Sequence, residues 1–131
     1  MNLHKIFYLE YFIYMSVEPI TFTGIGELTE AYVRSMIPST SCAVIITGYT
    51  SIGQYAFLNQ HLVISVEIGN SVENINNAAF AECISMTDVY IPNSVTFIAT
   101  GAFANCISLT KAIIPKYVTR IGNNAFINCP S

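Results

Sequence analysis

The sequence predicts a β-rich α/β solenoid, a short right-handed superhelix with one strand, one extended segment and one short helical turn in each 23-residue coil. Three observations predict it. The pair Ala-Phe recurs at Ala56-Phe57, Ala79-Phe80, Ala102-Phe103 and Ala125-Phe126, always 23 residues apart. Two further columns keep the same step: Ile52, Ile75, Ile98 and Ile121 before each Phe, and Gln60, Cys83, Cys106 and Cys129 after it. Apolar residues also fall at the first, fourth and sixth positions of a short segment, as Val63/Val66/Ile68, Met86/Val89/Ile91 and Leu109/Ala112/Ile114.

The elements of one coil follow in order. The first-fourth-sixth pattern is the strand, and Pro92 and Pro115 end it because proline cannot donate to a ladder. The extended segment is Val-Thr-x-Ile, with Val95 and Ile98 inward in the third copy. The helical turn carries Ala and Phe inward together, as in Gly122 to Phe126. One coil cannot cover its own Phe and Ile, so neighbouring coils must, and each buried Phe contributes roughly 1.5–3 kcal/mol. Phe57, Phe80, Phe103 and Phe126 should therefore form one structural ladder, and Cys83, Cys106 and Cys129 a second ladder of small buried thiols. Disulfides between neighbouring coils stay open to these three, although three members cannot all pair among themselves. Cys42, aligned with Ser65, Asp88 and Lys111, is expected to face outward as a free, reactive thiol.

The chain divides into residues 1–36, a cap or degenerate repeat, and residues 37–131, a solenoid of about three and a half to four units. Phe22 to Gly26 resembles Val118 to Gly122, but Ile25 stands 27 residues before Ile52. This predicts an enlarged helix over about Gly26 to Met36, with Leu28, Ala31, Tyr32 and Met36 on one face and Pro38 stopping it. Residues 6–15 are very apolar. Lys5 is the one nearby base, Glu10 interrupts the run and no Ala-x-Ala follows, so they read as a cap over the first coil rather than a signal peptide. At the other end the next strand would begin after Ser131. The expectation is a truncated chain, or one that self-associates through an uncapped Leu109–Ile114 coil.

Composition narrows the function. Of 131 residues 53% are hydrophobic and 10% charged, yet the longest uncharged run, Ser35 to Val66, is broken by Pro38, Gly48, Gly53, Gln54 and His61. It is no membrane span. A net charge of −3 without a dense Lys/Arg patch argues against nucleic acid. Eight acids and two bases precede or include Asp88, and Lys111, Lys116 and Arg120 follow it, so the solenoid should have an acidic and a weakly basic end. No catalytic constellation is present: His4 and His61 have no placed partner, no Ser or Cys is paired with a base, and no phosphate loop occurs. No cofactor or metal is called for by any Cys or His spacing.

The run Ile91 to Pro115, with Ile-Pro, Val-Thr-x-Ile, Ala-Phe, Asn-Cys and Ser-Leu-Thr in order, resembles the BspA-type leucine-rich repeat family. The resemblance covers residues 43–131 closely. It implies a non-catalytic binding solenoid displayed at a cell surface or outside the cell, often an adhesin that engages a host or cell-surface protein. The absence of a clear signal peptide leaves a cytoplasmic location, and an intracellular interaction or assembly module, as the alternative. Binding would use the outward columns of the stacked strands, expected as Cys42/Ser65/Asp88/Lys111 and Val44/Glu67/Tyr90/Ile113. The candidate protein-binding surface is Ser65, Glu67, Asp88, Tyr90, Lys111 and Ile113, an aromatic and an aliphatic anchor with a polar rim.

Overall fold

The structure, a computed structural model, describes residues 18–130. The expected cap over residues 6–15, and His4, lie outside the described residues. Two parallel sheets wall the solenoid. The first holds β1 (Ile20–Thr23), β3 (Cys42–Thr47), β5 (Val63–Ile68), β7 (Asp88–Tyr90) and β9 (Lys111–Ala112), in that spatial order. The second holds β2 (Glu27–Leu28), β4 (Ser51–Ile52), β6 (Asn74–Ile75), β8 (Phe97–Ile98) and β10 (Arg120–Ile121), also side by side in coil order. Each strand thus pairs with its counterpart one coil away, as the 23-residue step requires. Among the described residues one helix, α1 (Glu30–Met36), follows β2.

The third wall differs from expectation. It is a run of turns, not a helical turn. The N–H groups of Tyr55, Phe57 and Asn59 donate to the carbonyls of Asn77, Ala79 and Ala81 in the next coil, at 3.1, 2.6 and 3.0 Å. Those of Ala56, Leu58 and Gln60 donate back three residues, to Gly53, Tyr55 and Phe57. A helix turns every N–H back along itself and leaves none for a ladder. Alternating the two directions keeps the coils bonded, but it demands left-handed backbone at two positions per coil. One is Tyr55, Ala78, Gly101 and Asn124, with φ of 60°, 51°, 63° and 58°. The other is Asn59, Glu82, Asn105 and Asn128, with φ of 58° to 61°. Asparagine dominates the second column because its short polar side chain tolerates this region.

The interior is a set of continuous ladders. Phe57, Phe80 and Phe103 are fully buried and stack face to face, with Phe126 half-buried at the end. Successive ring centroids lie 4.9, 5.2 and 5.1 Å apart, near the strand spacing. Leu28, Ile52, Ile75 and Ile98 form a second ladder and Val72 and Val95 a third, all at zero exposure. Tyr49 continues the valine column in the earlier coil. Its larger ring fits because Gly24 opposite has no side chain, where a Cβ would lie 2.5 Å from the ring. In the last coil Ile121 pairs in register with the buried Ile98, yet it and Ile114 are exposed, and the strand shortens from the expected Leu109–Ile114 to Lys111–Ala112.

The N-terminal coil is a regular member of both sheets in a register the sequence reading missed. Phe22 pairs with Ile46 in the first sheet, and Leu28, not Ile25, joins the isoleucine ladder by pairing with Ile52. Ile25 is 91% exposed. The helix begins at Glu30, not Gly26, and buries Val33, while Ala31, Tyr32 and Met36 stay exposed. Tyr32 nonetheless meets the edge of the Phe22 ring at 5.7 Å, so the helix covers the Phe ladder from that side.

Candidate functional site

The first sheet presents its outward side chains in columns fixed by strand pairing. Ser65 pairs with Asp88, Asp88 with Lys111, and Glu67 with Tyr90. One step past the Val89–Ala112 pair, Ile113 comes beside Tyr90. The strands are held here because Val66 and Val89 turn inward and are buried, which forces their neighbours outward. Tyr90 is 60% and Ile113 69% exposed, the most exposed aromatic and, after Ile25, the most exposed aliphatic side chain among the described residues.

Four of the six expected residues converge on one groove. Asp88, Tyr90, Lys111 and Ile113, joined by Asn93 and Pro115, line a concavity of about 420 Å³. Ser65 and Glu67 belong to the same columns one coil earlier but do not line it. The sequence singles out Pro115 only as the end of its strand, and it does not mark Asn93 as a surface residue. They follow the strands in the repeated Ile-Pro step, and that step turns the chain across the end of the groove. The Thr87 hydroxyl donates to Asp88 Oδ2 at 2.7 Å and orients the carboxylate. Among the described residues the ion pair within reach is Arg34–Glu30 at 2.8 Å, so neither Asp88 nor Lys111 is neutralised by a partner. The apolar pair Tyr90–Ile113 thus lies beside a charged pair of columns, Asp88 next to Lys111, two residues earlier on the same strands.

The first regular coil corrects two expectations. Cys42 pairs with Val63 and is fully buried, not outward beside Ser65. A register shift between Cys42 and Ala43 puts Ala43 opposite Ser65, Val44 opposite Val66 and Ile45 opposite Glu67. Val44 is therefore core, and the half-buried Ile45 takes its place in the outward column. Burial raises the Cys42 thiol pKa, which suits packing rather than reactivity.

The cysteine ladder forms as a column of hydrogen-bonded thiols. Cys83, Cys106 and Cys129 Sγ donate to the carbonyls of Phe57, Phe80 and Phe103 in the preceding coil, at 3.2, 3.1 and 3.1 Å. All four cysteines are free. Burial, with the next thiol nearby, pushes Cys106 up to about 12, and Cys83 further still. Among the described residues no His/Cys/Asp/Glu group could hold a metal ion, and no helix is long and apolar enough to cross a membrane.

Comparison with known proteins agrees with this geometry. Residues 42–131, more than half of the chain, match the family model for the BspA-type leucine-rich repeat region. A search of the curated proteins returns no match. Among solved structures, a leucine-rich repeat protein of Bacteroides ovatus is 29% identical with a TM-score of 0.64, over 66% of this chain and 25% of that one. One from T. pallidum is 24% identical with a TM-score of 0.68, over 83% of this chain and 54% of that one. One from Eubacterium ventriosum, 21% identical with a TM-score of 0.61, shares the fold over 66% of this chain and 24% of its own. The chain spans a quarter to about half the length of these proteins. With its period, its two stacked sheets and its family match in agreement, the chain belongs to the BspA-type leucine-rich repeat family.

Proposed function

We propose that the chain is a non-catalytic protein-interaction solenoid whose contact surface is the outward face of β5, β7 and β9, centred on Tyr90 and Ile113. The observation that carries this is the convergence of an exposed aromatic, an exposed isoleucine and two unpaired opposite charges on one groove. Interfaces concentrate binding energy in such anchors, surrounded by a polar rim. The partner presents an apolar side chain to Tyr90 and Ile113, with charges complementary to Asp88 and Lys111. Ser65 and Glu67 extend the contact one coil toward the N-terminus. Family membership supports display at the cell surface and an adhesive role.

A free-thiol ladder favours a second reading, an intracellular assembly module, because reduced cysteines persist in reducing compartments. Protease treatment of intact cells separates the two: a surface protein is cleaved and an intracellular one is spared. The contact surface itself is tested by Tyr90→Ala. The side chain is exposed, so circular dichroism and melting temperature should match wild type, while capture of the partner falls about tenfold or more. Equal capture by the two proteins removes this surface from the reading.

A further inference from the structure

The second sheet carries a groove that the protein-binding face does not use. Its outward column runs Glu27, Ser51, Asn74, Phe97 and Arg120, one residue per coil. Glu27, Gln54, Asn76, Asn77 and Phe97 line a concavity of about 420 Å³, within the usual range of about 300–1,000 Å³ for small-molecule sites. It runs across three coil steps, or about 14 Å at a strand spacing of about 4.8 Å.

Its polar groups are ordered. Glu27 lies across Gly53, where a Cβ would stand 3.1 Å from the carboxylate, and so reaches Asn76 two coils away. Asn76 Nδ2 donates to Glu27 Oε2 at 3.1 Å, which leaves Asn76 Oδ1 as an acceptor. The Arg120 guanidinium sits 4.8 Å from the Phe97 ring centroid and holds that ring. These residues depart from the repeat. Where this coil has Asn76-Asn77, the others have Gly53-Gln54, Ala99-Thr100 and Gly122-Asn123, and Phe97 is the one aromatic in its column.

We propose that this groove binds a neutral oligosaccharide. An aromatic ring packs against the C–H face of a sugar, and amides that both donate and accept match vicinal hydroxyls, with a carboxylate as a further acceptor. Other ligand classes fit worse. The strands β4, β6 and β8 that carry the middle and far end of the groove are paired on both sides, so an extended peptide lying along them finds no edge; the one edge strand it touches, β2, is two residues long. A phosphate would meet the Glu27 carboxylate, while the one nearby base, Arg120, lies outside the lining and is engaged on the Phe97 ring; a single carboxylate is too few for a cation. The length exceeds one sugar ring, which selects an oligomer.

The test is amide chemical-shift mapping of the full chain with cellotriose, maltotriose and triacetylchitotriose at millimolar concentration. At least one should shift the resonances of Gln54, Asn76, Asn77 and Phe97. Phe97→Ala and the exposed Asn77→Ala should each weaken that sugar about tenfold, as for one lost contact of usual size. Tyr90→Ala, on the other face, should leave the sugar affinity unchanged, so this site and the protein-binding surface stand or fall separately. If none of the three sugars shifts these residues, or if the shifts survive both variants, the proposal is overturned.

Discussion

At the scale of single residues, the stacked ladder makes each inner Phe the neighbour of two others, so its loss is felt on both sides. Phe80 is fully buried between the rings of Phe57 and Phe103, whereas Phe126 is half-buried with one ring neighbour. Phe80→Ala should cost about 3–5 kcal/mol, and Phe126→Ala clearly less, read as urea midpoints at constant slope. Equal losses would show that the ladder is not what holds the coils. Glu82 offers the opposite experiment. It is the one non-asparagine in a column with left-handed φ, at 60°. Asn128 Nδ2 already donates to Asn105 Oδ1 at 2.7 Å in that column, so an asparagine at 82 would have both the right backbone preference and a waiting neighbour. Glu82→Asn should stabilise by about 0.5–1 kcal/mol, and a lower melting temperature would refute the account.

At the scale of elements, the regular coils were legible because inward residues repeat, and they repeat because each must cover the next. Val66, Ile75, Phe80, Val95 and Ile98 lie where the 23-residue step puts them. The same periodicity misled where the step changes. Ile46 to Ile68 is 22 residues, because Thr47-Gly48 connects the sheets in one coil and Gly69-Asn70-Ser71 in the next. Aligning Ile45 with Ile68 looked as good as aligning Ile46, since both are isoleucine, and that one-residue slip turned Val44 to the wrong face; Cys42 is buried through the further register shift that sets it opposite Val63, which no sequence spacing marks. The N-terminal coil failed for a related reason: Ile25 copies the local motif, but Leu28 fills the ladder. The turn run was hidden because apolar spacing does not report backbone handedness. The asparagines at 59, 105 and 128 were its visible signal. The candidate groove was half legible: strand alternation gives its outward columns, but Asn93 and Pro115 enter through the path of a loop.

At the scale of the whole molecule, the buried thiols tie stability to pH. Thiols ordinarily titrate near 9.0, but Cys83 and Cys106 are held protonated by burial, Cys106 up to about 12. In the unfolded chain both are exposed and lose their protons near pH 9. Above that pH the unfolded state binds fewer protons than the native one, so stability falls as pH rises. The contribution is complete below about pH 9 and is lost as pH climbs toward the native values, by on the order of 1 kcal/mol per pH unit for each thiol. Native stabilities of about 5–15 kcal/mol cannot absorb two such terms for long. Tyr49, whose hydroxyl is also raised by burial, adds to the loss, so the thiols are isolated by difference. Cys83→Ala with Cys106→Ala should lower stability at pH 7 through lost packing, yet show a shallower decline between pH 9 and 11 than wild type in parallel urea titrations. Parallel declines would mean that the thiols ionise as readily in the folded coil as in the open chain, and the ladder of Sγ–H to carbonyl bonds would then have no energetic meaning.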